Sequence, residues 1–256
     1  MVKRPLPSGS GALLVLVVLI GINLRPFLTA IGPLAGEIDA QLALGMDRLA
    51  WVTLLPLLLI GVGVLLTLSL LDKTGPRPLL GTALLLLMLG SALRLDLASG
   101  TLLIASAALC GLGSALVQGT LPGLIKGAFA GKVPLVMGIF SACMMGGGAL
   151  GAVLTPRVAV HLDWSRALAL WSLPVLLALV WLGWRVRLPA ATQHSPVSGE
   201  QRLIALPRAW LLIACFGIIN SGYGIVVAWL APAYLALGWS PQQGASWWPG
   251  WPWPRP

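Results

Sequence analysis

A single arginine lies in the middle of an apolar stretch near the start of the chain. Arg25 falls between Gly11 and Pro33, where Asn23 is the only other strongly polar side chain. A guanidinium in the hydrocarbon core costs about 2.5 to 3.5 kcal/mol on insertion scales, so it usually faces a protein interior or a wet cavity. We interpret Arg25 as a residue that faces such a cavity, which makes it the best indication of function in the sequence.

The alternative is that Arg25 snorkels, with its stem along the helix and its charged head among the lipid headgroups. Pro33, at the end of the stretch, lies eight residues further on. That is about 12 Å along a helix and more than the side chain comfortably spans. The spacing therefore favours a cavity.

The apolar stretches contain no catalytic set. An enzyme needs a nucleophile, an acid, a base or a metal, whereas no carboxylate or histidine lies in the interior of any predicted span. The chain also lacks the G-x-x-x-x-G-K-[ST] loop that binds nucleotide phosphates. We therefore expect a transporter and no enzyme; the alternative is a membrane-anchored sensor or enzyme whose helices are only a scaffold.

The cysteines and histidines provide no metal or cofactor site. Cys110, Cys143 and Cys215 all lie in apolar runs without C-x-x-C spacing, and His161 and His194 are far apart. We interpret the cysteines as buried, inert thiols. No metal and no cofactor are expected.

The composition predicts an all-α membrane protein. Charged residues make up 9% of the chain, hydrophobic residues make up 58%, and mean hydropathy is +0.93. Soluble domains carry about 25% charged residues, so this chain has too few charged residues to cover a water-exposed surface. The net charge of +9 is therefore attributed to membrane topology rather than to nucleic-acid binding.

Seven stretches are long and apolar enough to cross a bilayer as helices, for which about 20 residues are needed. The third has Arg94 and Asp96 at its end. The predicted spans are Gly11 to Pro33, Ala50 to Leu71, Leu79 to Leu97, Thr101 to Ile125, Val133 to Pro156, Ala167 to Trp184 and Ala209 to Leu237.

The basic residues between the spans predict the orientation. Ten lie on the side of the N-terminus and four on the other, so the positive-inside rule places the N-terminus in the cytoplasm. The ten are Lys3, Arg4, Lys73, Arg77, Lys126, Lys132, Arg185, Arg187, Arg202 and Arg208; the four are Arg48, Arg94, Arg157 and Arg166.

These spans predict four regions. Residues 1–187 form a six-helix transmembrane bundle and residues 188–207 form a cytoplasmic central loop. Residues 208–237 hold the seventh helix, which begins a second bundle, and residues 238–256 form an unusual tail.

The first, fourth and seventh spans share a pattern in which polar residues precede a proline. A period of three spans is what repeated three-helix units produce, and transporter sites lie where such helices are interrupted. Chance is the alternative, because glycine and proline are common in membrane helices. The residues are Asn23, Arg25 and Pro26; Gln118 and Pro122; and Asn220, Ser221, Tyr223 and Pro232.

Two consecutive stretches carry a family resemblance. Residues 21–26, Gly-Ile-Asn-Leu-Arg-Pro, and residues 29–34, Thr-Ala-Ile-Gly-Pro-Leu, resemble the first helix of the cyanate and 2-nitroimidazole transporter family of the major facilitator superfamily. The resemblance covers residues 11 to 246 or so. It implies a secondary transporter that works by alternating access and moves a small anion or a small polar organic compound.

In this interpretation, helices one, four and seven line a central cavity. Substrate would meet Arg25, Asn23, Gln118, Asn220 and Tyr223. We expect a monomer in the inner (plasma) membrane whose partners are a small-molecule substrate and the lipid bilayer, with no nucleic acid.

The loop after the second span is similar to the short cytoplasmic signature of the superfamily. It contains Asp72, Lys73, Gly75 and Arg77. Asp72 at a helix C-terminus opposes the helix dipole unless Lys73 or Arg77 compensates it. Such a pair would hold the bundle closed on the inner side. The alternative, which the sequence supports equally well, is a solvated turn whose charges only set the membrane topology.

Glycines are concentrated in the fifth span. Gly147 and Gly151 form a G-x-x-x-G pair, which permits close approach of two helix backbones. We expect this pair to pack inside the bundle rather than to form a dimer interface.

The final ten residues, Trp-Trp-Pro-Gly-Trp-Pro-Trp-Pro-Arg-Pro, contain too much proline to continue a membrane helix. A Leu-Ala repeat written CTG GCC and read one nucleotide late becomes TGG CCC, which encodes Trp-Pro. We hypothesise a frameshifted or truncated product; an interfacial tryptophan anchor is the alternative. Sequencing the coding DNA past the stop codon tests this, because truncation requires an apolar continuation in another frame.

Overall fold

The structure is a computed structural model that describes residues 10–96, 99–129, 131–186 and 207–238. Every regular element in these ranges is a helix, so the predicted all-α fold class is confirmed. The Trp/Pro-rich tail and most of the predicted central loop lie outside the described residues.

The first predicted span is three helices in succession rather than one. Helix α1 is Ser10–Asn23, α2 is Pro26–Thr29 and α3 is Ile31–Leu42. The membrane-length apolar segment covers Ser10–Thr29. The predicted span from Gly11 to Pro33 is therefore interrupted: α1 ends at Asn23, and α2 begins at Pro26.

The next spans follow the predicted order. Helix α4 is Gly45–Thr74, α5 is Pro76–Ala92, α6 is Gly100–Ala128, α7 is Val133–Leu162, α8 is Trp164–Ala169, α9 is Ser172–Trp184 and α10 is Pro207–Ala236. A 3-10 turn, Leu93–Asp96, extends α5. Within the described residues six segments are long and apolar enough to cross a membrane, the sixth being α8 and α9 together.

The sixth span is interrupted between α8 and α9. Pro174 has no backbone N–H, so the Leu170 carbonyl loses its usual partner four residues on. The Leu173 N–H donates to that carbonyl at 3.1 Å instead. The tighter turn thus compensates for the proline.

Helix α6 lies between α4 and α5, its main packing partners. A Cβ atom added at Gly111 would lie 2.7 Å from Pro56 Cα, and one added at Gly113 would lie 2.7 Å from the Ala83 carbonyl oxygen. The missing side chains therefore let three helix backbones approach closely. Helix α1 packs against α7 and α9.

The buried apolar side chains form two clusters that meet at α2. One contains Leu24, Phe27 and Leu28 and continues along α1, α5 and α6. The other begins at Ala30 and continues through α3, the start of α4 and α8. The interruption of the first span therefore lies inside the protein core.

Helix α10 packs against α3 and α2. Its apolar part, Trp210–Val226, is shorter than the six spans, so the seventh span stays a prediction. The interpretation of all three cysteines as buried was wrong: Cys110 is buried, but Cys143 is only partly buried and Cys215 is exposed. The reason is that α10, which carries Cys215, leaves much of its surface uncovered.

Candidate functional site

Pro26 lies at the break in the first span and favours it. Its ring has no N–H to donate and collides with the carbonyl four residues earlier, so a helix cannot continue through it undisturbed. The chain leaves helical geometry at Leu24 and Arg25. The Leu24 N–H still donates to the Gly21 carbonyl at 3.2 Å, and α2 then begins at Pro26.

Helix α7 packs against the break in the first span through a face of small residues. A Cβ atom added at Gly147 would collide with the Ile22 carbonyl oxygen, and one at Gly151 would lie 2.7 Å from Pro26 Cα. Thr29 Oγ1 donates to the Gly148 carbonyl at 2.8 Å. The expected packing of Gly147 and Gly151 inside the bundle is confirmed, and its partner is the interrupted backbone.

Arg25 occupies the position immediately before α2 and is partly buried. Its carbonyl oxygen accepts hydrogen bonds from the Leu28 and Thr29 N–H groups at 3.0 and 3.1 Å. The backbone of Arg25 is thus held by the first turn of α2. The arginine is therefore attached to the interrupted segment and not to a regular helix face.

Asn23 ends α1 and is almost completely buried. Its Nδ2 atom donates to the Leu19 carbonyl at 2.7 Å. Its Oδ1 atom is buried and has no hydrogen-bond partner among the described residues. A buried acceptor without a partner costs about 1 to 3 kcal/mol, which makes this oxygen a candidate binding group.

Arg94 is a buried residue that the sequence analysis placed at the end of the third span and counted among the four basic residues on the outer side. Its side chain is 1% exposed. Nε donates to Ser106 Oγ at 3.1 Å, and Nη1 donates to the Phe27 carbonyl at 3.0 Å. The signal for its burial was an arginine at the end of an apolar stretch, but the positive-inside count treats such a residue as a loop charge.

The other predicted binding residues lie on helices that contact α2. Gln118 is partly buried on α6, and Asn220 is partly buried on α10. Both helices touch α2. Tyr223 also belongs to α10, but its side chain is outside the described part of that helix. Helix α2, the short segment after Arg25, is therefore contacted by both α6 and α10.

The shared polar-and-proline pattern does not give three interrupted helices. Helix α6 continues through Pro122 and α10 continues through Pro232. The loss of one N–H is tolerated within both helices. Pro26 differs because the glycine face of α7 lies directly against the freed backbone, as the Gly147 contact shows.

The cytoplasmic signature forms the turn between α4 and α5. Gly75 has a φ of 81°, a left-handed conformation that favours glycine, and Asp72, Lys73 and Arg77 are exposed. Arg77 Nη2 donates to the Gly183 carbonyl at 3.1 Å. Arg77 therefore joins the start of α5 to the last turn of α9, a contact that the sequence did not predict.

The comparisons with known proteins agree with this architecture. Residues 11–251 match the model of the Major Facilitator Superfamily. A solved structure of a proton-dependent oligopeptide transporter superposes with a TM-score of 0.61 at 16% identity, covering 90% of this chain and 52% of that one. At that identity the likeness shows the fold alone.

Two curated relatives come from Escherichia coli K12. The chain is 37% identical to the cyanate transport protein CynX over 236 residues, which are 91% of this chain and 61% of the relative. It is 30% identical to the 2-nitroimidazole transporter over 233 residues, 90% of this chain and 59% of that protein. The chain thus spans about three fifths of the length of these relatives.

The described residues form a six-span helical bundle with an interrupted first span. One family model matches almost the whole chain, so the class of protein is unambiguous. The chain belongs to the Major Facilitator Superfamily, a family of membrane transporters and not of enzymes.

Proposed function

We propose that this chain acts as a secondary transporter for a small anion or a small polar organic compound, cyanate-like or nitroimidazole-like, by alternating access. The observation that carries the proposal is the interrupted first span, in which Arg25 follows the buried Asn23 within the core. Interrupted helices with polar groups mark the substrate sites of many transporters.

The chemistry of the two residues suits such a substrate. The planar guanidinium of Arg25 offers paired N–H donors to the oxygens of an anion or a nitro group. An amide can reorient, so that Asn23 presents either its oxygen or its amino group. The low dielectric of the interior strengthens both interactions.

Gln118, Asn220 and Tyr223 complete the proposed lining. They are uncharged hydrogen-bonding groups, so Arg25 supplies the only proposed formal charge. One positive charge suits a monovalent anion, and it suits the electron-rich oxygens of a neutral nitro compound. The names of the two relatives, a cyanate transport protein and a 2-nitroimidazole transporter, support these two substrate classes.

An uptake assay tests the proposal. Cells would express the chain alone, or joined after residue 238 to the corresponding remainder of the E. coli cyanate transport protein. Labelled cyanate, nitrate and 2-nitroimidazole would be compared at equal amounts of membrane protein. Uptake of cyanate or 2-nitroimidazole above empty-vector cells supports the function; background uptake of both by both forms would refute it.

A further inference from the structure

The side chain and backbone of Arg94 connect four parts of the bundle. The residue lies in the 3-10 turn that follows α5. Its guanidinium donates to Phe27 of α2 and to Ser106 of α6, and its carbonyl oxygen accepts a hydrogen bond from Ser165 Oγ of α8. No other described arginine is completely buried.

The contact with α2 is the informative one. The Phe27 carbonyl belongs to a helix of only four residues, and Phe27 lies two residues after Arg25. A single helical turn is unstable by itself, because nucleation orders several residues for one hydrogen bond. The conformation of α2 must therefore be imposed by its neighbours.

Two side-chain hydrogen bonds hold α2 to those neighbours. Thr29 Oγ1 donates to the Gly148 carbonyl of α7 at 2.8 Å. Arg94 Nη1 donates to the Phe27 carbonyl at 3.0 Å and ties α2 to α5 and α6. Since the Arg25 carbonyl accepts from Leu28 and Thr29, the backbone of Arg25 moves with this turn.

We infer that Arg94 is a positioning residue for the candidate site: by holding the Phe27 carbonyl, it fixes α2 and hence the direction in which Arg25 extends. The inference rests on the proposed function, because the site that Arg94 positions is the proposed binding site.

The chemistry of the guanidinium supports this role. Nε and Nη1 lie on one planar fork, and they reach a side-chain oxygen and a backbone oxygen on different helices. An ammonium is a point charge on a flexible stem and does not reproduce this geometry. Burial of a guanidinium is also costly, so simple packing is better served by an apolar side chain.

Thiol labelling tests the positioning directly and needs no substrate. The chain would carry Arg25→Cys in a background in which Cys110, Cys143 and Cys215 are replaced by alanine. The rate of reaction with N-ethylmaleimide in membrane vesicles would be compared with and without Arg94→Gln. Release of α2 should make local opening at position 25 more frequent. Labelling there should therefore accelerate by about fivefold or more.

Matched controls separate positioning from general integrity. Arg48→Cys, an exposed arginine at the start of α4, should be labelled at the same rate with or without Arg94→Gln. Arg157→Gln removes another exposed arginine and should leave both rates unchanged. Equal acceleration at positions 25 and 48 would identify Arg94 as merely structural and overturn the inference, as would no acceleration at position 25.

Two further variants keep the test decisive if Arg94→Gln does not accumulate in the membrane. Ser106→Ala removes the acceptor of Nε but keeps the charge, and it should accelerate labelling at position 25 by about twofold. Arg94→Lys should restore the wild-type labelling rate only in part. Wild-type rates in both variants would refute the inference.

Uptake kinetics form a separate arm. With Arg25 intact, Arg94→Gln should raise the KM of the transported compound by about fivefold or more, with a smaller change in maximal rate per folded protein. An unchanged KM would contradict the positioning role. If the unmodified protein transports nothing, the proposed function fails, whereas the labelling result still decides whether Arg94 positions α2.

Discussion

Arg25 and Arg94 are both costly for the bundle, but they have different surroundings. Arg94 is completely buried and donates to neutral oxygens on two helices. Arg25 is only partly buried and lies where the first span is interrupted. We therefore propose that Arg94 belongs to the scaffold of the site and that Arg25 contacts substrate.

Replacement of Arg25 tests this assignment. Arg25→Ala should abolish uptake while membrane insertion stays intact or improves slightly, because a charge costing about 2.5 to 3.5 kcal/mol is removed. Arg25→Lys should recover little, because the fork becomes a point charge. Uptake normalised to membrane protein provides the measurement.

The exposed Arg48 is the matched control, and Arg48→Ala should leave uptake unchanged. A snorkelling Arg25 makes the opposite prediction, because lysine reaches the headgroups nearly as well as arginine. Near wild-type uptake by Arg25→Lys would favour snorkelling, and near wild-type uptake by Arg25→Ala would remove Arg25 from the site.

Asn23 should show a conflict between stability and function. Asn23→Leu removes a buried oxygen without a partner and loses one hydrogen bond to Leu19. The net effect should be an unchanged or higher free energy of unfolding, by up to about 1 kcal/mol, together with a large loss of uptake. Thermal unfolding in detergent and the uptake assay measure the two effects; a strong loss of stability would show that Asn23 is purely structural.

At the scale of elements, small residues decide where the backbone of α7 meets the interrupted span. A Cβ atom at Gly151 would lie 2.7 Å from Pro26 Cα and 2.8 Å from Thr29 Oγ1. Gly151→Ala should therefore destabilise the bundle by about 1 to 3 kcal/mol through overpacking. Thermal unfolding of the purified protein measures the change.

Gly138 is the matched control on the same helix, because a Cβ atom there meets nothing within 4 Å. Gly138→Ala should be neutral or stabilising by up to about 1 kcal/mol, since alanine is the better helix former. Effects of equal sign and size at both glycines would contradict the close packing of α7 against α2.

The turn between α4 and α5 gives another prediction. Arg77→Ala removes the hydrogen bond to the Gly183 carbonyl in the last turn of α9 and should lower the free energy of unfolding by about 0.5 to 1 kcal/mol. Lys73→Ala, at an exposed neighbour, should change it by less than about 0.5 kcal/mol. A larger effect at Lys73 would favour its pairing with Asp72, which would hold the bundle closed as the sequence suggested.

At the scale of the whole molecule, the unequal distribution of basic residues predicts the orientation. We expect the N-terminus and residues 188–207 in the cytoplasm and the connection after α3 outside. Alkaline phosphatase fused after residue 42 should be active, and a fusion after residue 200 should be inactive. The reverse pattern would contradict this orientation.

The sequence by itself determined the class of the protein. A chain with 9% charged residues and repeated apolar stretches has no stable alternative to membrane helices, because lipid offers no partners to open backbone groups. For the same reason the six spans agree with prediction to within several residues. Pro26 beside Arg25 also indicated an unusual first helix, and the glycines of α7 indicated close packing.

Only the tertiary structure decided what surrounds each polar group. From hydropathy alone, Arg94 is a charge at the end of a span. Its hydrogen-bond acceptors, the carbonyl of Phe27 and the hydroxyl of Ser106, come from distant parts of the chain, so the local sequence does not reveal them. Likewise, Pro26 interrupts its span, whereas α6 and α10 continue through Pro122 and Pro232. The difference depends on which neighbour lies against the freed backbone, and that is a property of packing rather than of local sequence.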